Sequence, residues 1–389
     1  IWVDVFRPNI YVEVNSNQAI TAKAQYESWR YQDRLMSKGK ENNANSYKWA
    51  PPHQVVTRKD SIRFAPKGIL FYHNNGDEIS AFDVVVKQQG LDSLKKQFYN
   101  PLKNLVFGGF ISANNWQQDA TTQGKYRDTD FKAWKISTIK SARQQQLMIS
   151  LHTATTTSIS DWEKSLLKTQ AEGQKDMLMA QKATHNWWKE FWQKSFIHIT
   201  PNQKNSKSWE IARNYQVFRY QLACNNFGQY PTKFNGGLFT VDPYFTDTTM
   251  KFTPDFRNWG GGTHTAQNQR LVYWGLLKTG DSEAMKPQFD FYKRILNNAE
   301  LRTKYYWGHQ GASFTEQIEN FGLPNPAEYG WKRPAGYDKG MEYNAWLEYE
   351  WDTALEFCSM MLETERFTGK NITEYIPLIE SCLRFFDEH

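Results

Sequence analysis

The feature that most constrains this chain is a change of hydrophobic period near residue 160. Before it, apolar residues recur at every second position; after it, they recur at helical spacing. A strand points alternate side chains to opposite faces, whereas a helix gathers them along one stripe. A chain that switches once is therefore expected to build a β unit first and an α unit second. Residues 1–6 and 10–14 alternate apolar with polar residues across a Pro8-Asn9 break, and residues 22–30 keep the same period. Residues 69–73 run into Asn74-Asn75-Gly76-Asp77, a turn signal. Further period-two runs at 105–111, 131–136 and 146–151 predict a large antiparallel β-sandwich over residues 1–159, with 37–46 as a surface loop.

Ser160-Asp161-Trp162-Glu163 marks the switch, since Ser160 or Asp161 can cap a helix by accepting backbone N–H bonds. A linker helix is expected within 160–200, ended by Thr200-Pro201-Asn202. Over 201–389 the spacing predicts helices at 209–226, 263–278, 283–298, 344–366 and 372–387. Helices joined by alternating short and long loops suggest an α/α toroid, of which five helices would form only a part. Ile1 opens directly in a strand pattern and His389 closes a helix-like run, so both units are expected to continue in a longer parent chain.

Composition narrows the function classes. With 389 residues there is room for two sizeable cores. Mean hydropathy is -0.73, and no run reaches the ~18 apolar residues of a membrane-spanning helix. The net charge of +6 comes from scattered Lys and Arg, which gives poor support to nucleic-acid binding. The three cysteines, Cys224, Cys358 and Cys382, fit neither a metal motif nor a disulfide framework and are expected to be buried helix thiols. The 16 Trp, 20 Tyr and 25 Phe, with abundant Asn and Gln, suit a sugar, which stacks on rings and bonds to amides. They equally suit a large aromatic core.

The candidate chemistry concentrates in residues 234–322. Glu316 and Glu319 lie three apart, which in a helix would place them on one face. Phe314 and Phe321 around them could raise a carboxyl pKa, as a general acid requires. The same pair could be ordinary salt-bridged glutamates. His264 follows Gly260-Gly261-Gly262 and could bond a substrate hydroxyl, cap a helix or pack in the core. Asn268, one turn on, could orient a sugar hydroxyl or a water. Trp307 and His309 share the loop before the glutamates, and Asn235, Trp259 and Trp346 are further candidate sugar contacts. Asp352 and Glu356 sit in the acidic and aromatic run from 346 to 356, where one carboxylate could face a cleft. No HxH or HExxH spacing, phosphate loop or GxSxG motif is present, so neither a metal nor a cofactor is expected.

The order of β-sandwich, linker helix with His185-x-Trp187-Trp188-x-x-Phe191-Trp192, then α/α barrel resembles glycoside hydrolases that join a β-supersandwich to an (α/α)6 barrel. Three motifs are similar to glycoside hydrolase family 95, the inverting α-L-fucosidase group. They are Phe234-Asn235-Gly236-Gly237-Leu238-Phe239, the helix from Asn268 to Tyr273-Trp274, and Ser313-Phe314-Thr315-Glu316. The resemblance implies an inverting glycosidase of bacterial, secreted or periplasmic origin, with Glu316 as general acid. It departs at Ala266, where the family has a second asparagine, and at Thr315, where it has proline. The family's base aspartate would fall beyond His389. Two rival readings remain: a carbohydrate-binding protein without catalysis, and a polysaccharide lyase using Tyr305, Tyr306, His264 and Arg270.

Overall fold

A computed structural model describes residues 1–36, 54–199, 206–233, 248–249 and 263–389. The expected breaks at 37–46 and 200–202 lie outside the described residues.

The strands are β1 (Trp2–Val3), β2 (Asn9–Ile20), β3 (Lys23–Ser28), β4 (Arg34–Leu35), β5 (Val56–Thr57), β6 (Ser61–Ala65), β7 (Gly68–Asn74), β8 (Leu105–Ser112), β9 (Trp116–Tyr126), β10 (Thr129–Thr138) and β11 (Ala142–Thr155). They form a six-stranded sheet, β1-β2-β11-β8-β7-β6, and a three-stranded sheet, β3-β10-β9. The pairings within both sheets are antiparallel. Between the sheets, Ile69, Ile111 and Leu147 of the larger meet Trp116, Trp134 and Ile136 of the smaller. The expected sandwich is thus present.

The larger sheet is covered on both faces. Leu70, Val106 and Phe110 point away from the small sheet and bury against Trp162 and Leu166 of helix α2 (Ile159–Lys175). Trp162 is 1% exposed. Burying a ring of about 150–250 Å² at about 25 cal/mol/Å² contributes about 4–6 kcal/mol of transfer free energy. The exposed Arg63–Glu163 pair beside it, at 2.7 Å, contributes about 1 kcal/mol at most. Apolar burial therefore seats α2. Its cap is Ser158, two residues before the expected position, whose Oγ accepts from Asp161 N–H at 3.2 Å. The linker is two helices, not one: the chain bends at Asp176 and continues as α3 (Met177–Lys194).

An excursion between β7 and β8 carries α1 (Ala81–Gln88) onto the helical unit. Phe82 meets Phe321 edge-on at 5.1 Å, and the Gln89 side-chain amide donates to the Pro324 carbonyl at 2.9 Å. Asn298 accepts from Tyr99 N–H and donates to the Tyr99 carbonyl. These contacts lock the sandwich to the turn that follows Glu319.

The helical unit contains α4 (Lys207–Ala223), α5 (Ala266–Thr279), α6 (Lys286–Trp307), the short α7 (Pro326–Tyr329), α8 (Thr353–Thr368) and α9 (Ile376–Glu388). Left-handed glycines end three of them, at Gly280, Gly308 and Gly369. Side-chain pairings give the helix directions. Arg270 meets Glu356 at the start of α5 and α8, and Lys278 lies over the Phe367 ring at their ends, so these two run parallel. Lys286 reaches Tyr375 at the start of α6 and α9, Ser381 donates to Glu300 midway, and His309 meets His389 beyond their ends, so these also run parallel. Two antiparallel hairpins, α5–α6 and α8–α9, therefore stand side by side in two layers around a shared apolar core. This is the α/α arrangement that the sequence led us to expect.

Two boundary expectations fail for local reasons. Residues 263–265 are extended, because His264–Thr265 (β12) pairs with Gln317–Ile318 (β13). Residues 344–352 are turns, because the Asn344 side chain accepts from Trp346 N–H at 3.0 Å and offers the backbone an alternative to helix. Cys358 and Cys382 are buried as expected, whereas Cys224 falls on the exposed side at the end of α4.

Candidate active site

The two-strand bridge β12–β13 lays the segment 313–319 across the start of α5. The first N–H groups of a helix have no partner within it. Here Ala266 N–H donates to the Glu316 carbonyl at 2.9 Å. Gln267 N–H donates to the Glu316 carboxyl, 2.8 and 2.9 Å from its two oxygens. Glu316 is 0% exposed. Burial, the largest cause, pushes its pKa up to about 8 against the lowering effect of the Gln267 N–H bond. Glu350 and Asp352 push in the same direction, and Arg270 opposes them. At neutral pH the group mostly keeps its proton, inside the positive end of a helix dipole that would steady the anion once the proton leaves.

Glu350 and Asp352 lead into α8, whose parallel packing against α5 brings the two helix starts together. Arg270 and Trp274 of α5 both reach Glu356 in the first turn of α8, at 3.4 and 2.5 Å. Behind them lies Glu342, 0% exposed and with neither carboxyl oxygen hydrogen-bonded. Burial raises its pKa well above the usual range, with Glu328, Glu316 and Glu350 adding to the shift. Arg302 ties the two segments: it donates to Ser313 Oγ at 3.0 Å and to the Gly340 carbonyl. Among the described residues, no group of three or more His, Cys, Asp or Glu has the geometry to hold a metal ion.

The other candidates divide. Glu319 does not share a helix face with Glu316, because the intervening residues are strand β13. It is buried and accepts from Asn325 Nδ2 at 2.9 Å, while Asn325 caps α7. Asn268 is half-buried in the first turn of α5, beside the Glu316 cap. His264 takes the packed position of those open to it. Its ring lies 5.9 Å from Tyr230 and 4.6 Å from Phe291, and burial lowers its pKa to about 3, so it is neutral. Trp307 donates to Asp338 at 3.2 Å, and its indole fills the space that a side chain at Gly340 would need. His309 bonds His389 at 3.0 Å on the rim. Trp346 is 85% exposed, and Tyr343 and Tyr349, three residues to either side in sequence, are exposed as well. Asn235, Trp259 and the motif at 234–239 lie outside the described residues.

Sequence reasoning missed Glu342 and Arg302. Neither stands in a motif, and only the long turn between α7 and α8 brings residue 342 back to residue 316.

The family DUF5703_N, described as "Domain of unknown function (DUF5703)", matches residues 1–197. No curated protein matches the chain. Among the solved structures that match, one from the human microbiome, provisionally named a kojibiose phosphorylase, has a TM-score of 0.48 and 12% sequence identity. The alignment covers 97% of this chain but 40% of that one, so the chain spans less than half of that protein's length.

Proposed function

The chain belongs to the DUF5703_N family, and we propose that its helical unit carries a site acting on a glycosidic bond of an oligosaccharide or polysaccharide. Glu316 is the proton donor to the leaving oxygen. The observation that carries this reading is the carboxyl of Glu316, fully buried at the start of α5 with its pKa pushed up to about 8. A general acid must hold its proton at working pH and release it to a developing alkoxide. Burial accounts for the first property and the helix start for the second. Asn268 in the adjoining turn and the exposed ring of Trp346 supply the contact types that a sugar needs. The three motifs similar to glycoside hydrolase family 95 point the same way, with hydrolysis as the reaction.

A second reading, sugar binding without catalysis, has one observation in its favour. Gln267 N–H holds both oxygens of Glu316, as it would a purely capping glutamate. The lyase reading finds less support, since His264 is buried and Arg270 is engaged by Glu356.

Glu316→Gln separates the first two. Under the hydrolase reading it lowers kcat on a cleaved oligosaccharide by about 100- to 10,000-fold and leaves oligosaccharide affinity, measured by calorimetry, unchanged. A wild-type rate in the variant overturns the assignment of Glu316.

A further inference from the structure

We propose that Glu350 is the second carboxylate of this site and the base that activates the attacking water. The inference rests on the reading of Glu316 as the acid. It places both halves of the chemistry within residues 1–389.

The argument begins with helix packing. α5 and α8 run parallel and pack directly, fastened near their starts by Arg270 and Trp274 on Glu356. Packed helices stand about 8–10 Å apart, axis to axis. Glu316 sits on the start of α5, and Glu350 stands three residues before α8, where its carbonyl accepts from Thr353 Oγ1. Glu316 and Glu350 are therefore anchored at two adjacent helix starts, near enough for the Glu350 charge to raise the Glu316 pKa. Inverting glycoside hydrolysis needs two carboxyls about 6.5–9.5 Å apart, because a water has to fit between base and sugar, and acids on neighbouring helices can meet that requirement. A covalent mechanism needs the shorter separation of about 5–5.5 Å.

The chemistry of the neighbours favours Glu350 over the other acids. Glu356 is occupied by Arg270 and Trp274. Asp352 is exposed. Glu350 is half-buried, and its Oε2 is shut off from solvent with no hydrogen-bond partner. Burial raises its pKa, and Arg270 holds that rise in check. The result is a carboxylate more basic than usual. Glu342 gives independent support. It is fully buried, both its oxygens lack partners, and it feels the charges of Glu316 and Glu350 alike. A buried carboxyl of this kind calls for a polar partner, which a bound water or ligand hydroxyl can supply.

In the step itself, a water O–H proton passes to Glu350 while the water oxygen bonds the anomeric carbon. The glycosidic C–O bond breaks, and the departing oxygen takes the proton of Glu316. Exchange with solvent restores both carboxyls.

The test uses a panel of α- and β-linked 2,4-dinitrophenyl glycosides, whose leaving group needs no proton, alongside unactivated oligosaccharides. Glu350→Gln is expected to lose about 100-fold or more on both substrate types. Azide should restore its turnover on the dinitrophenyl substrate and yield the glycosyl azide of inverted configuration. Glu316→Gln is expected to lose activity on the oligosaccharide alone. Glu350→Asp should be intermediate. If Glu350→Gln keeps the wild-type rate while Glu316→Gln loses the oligosaccharide, the base assignment falls and the acid stands. A product of retained configuration also overturns it, because Glu350 would then be a nucleophile. Wild-type rates in both variants, or no turnover of any substrate by the unaltered chain, remove the acid assignment and the base with it.

Discussion

Helix α5 has two ends that treat charge in opposite ways. At its C-terminal end, Asp281 accepts from Arg219 at 2.9 and 3.0 Å, with both side chains at most 2% exposed. Thr279 donates to the same carboxylate, and Arg219 also donates to the Phe191 carbonyl at 3.2 Å and lies over the Phe191 ring. Every charge there is answered. At the N-terminal end, Glu316 is as deeply buried but has one peptide N–H to meet it. The guanidinium of Arg270, whose charge lowers the Glu316 pKa, is turned toward Glu356. The first end spends its ionic chemistry on joining α3, α4 and α5. The second keeps a carboxyl short of partners, and such a group holds a proton that it can give away.

Cutting the satisfied end should have the larger effect on stability. Asp281→Ala leaves the Arg219 guanidinium buried without its counter-charge and is expected to lose about 3–5 kcal/mol, read from urea unfolding. Turnover per folded molecule should not change. If the variant unfolds at the wild-type midpoint, the two ends do not differ as described.

The unsatisfied end should appear in the pH dependence. The folded-state pKa of Glu316, about 8, lies above the ordinary 4.5. Its contribution to stability is therefore complete below pH 4.5 and is lost as pH rises through 8. Between those values wild-type stability should fall, by roughly 3 kcal/mol after allowing for relaxation of a buried site. Glu316→Gln should flatten that part of the curve and be the more stable protein at pH 9. Equal slopes in the two proteins would mean that Glu316 ionises normally.

The contrast explains what could be read from the sequence. Period alone separated sandwich from helices, because Ile69 and Leu70 on opposite faces of β7, or Leu276 and Leu277 along α5, follow from backbone geometry. Glu316 was visible through its flanking Phe314. The fates of Glu319 and Glu342 were not. Glu319 is settled by Asn325, six residues on, in a turn held by the Glu319–Leu323 backbone bond. Glu342 is settled by a fold-back that Arg302 secures from another helix. The helix expected from residue 344 started nine residues late, because side-chain turns at Asn344 outweighed apolar spacing.

Asn325 offers a smaller test of the same contrast, because it satisfies the other glutamate. It donates to Glu319 and accepts from Ala327 N–H at 3.0 Å and Glu328 N–H at 3.3 Å. Asn325→Ala removes a cap and leaves a buried carboxyl short of a donor, for an expected loss of about 2 kcal/mol. Asn325→Asp should lose at least as much, since it sets a second carboxylate against Glu319. A variant as stable as wild type would remove Glu319 from the structural side of the comparison.

The smallest stability effect should come from Trp346. Its ring is 85% exposed, and Tyr343 and Tyr349, three residues to either side in sequence, are 46% and 71% exposed. Three large rings left in water just before α8 gain little for folding, so Trp346→Ala should change stability by no more than about 0.5 kcal/mol. If the rings form a stacking platform beside Glu316 and Glu350, the same change should weaken oligosaccharide binding by about 3- to 10-fold, roughly the 0.5–1.5 kcal/mol of a stacked pair. Trp346→Phe should recover part of that loss. Unchanged affinity would detach the platform from the site, whereas a large drop in melting temperature would show that the ring supports the fold.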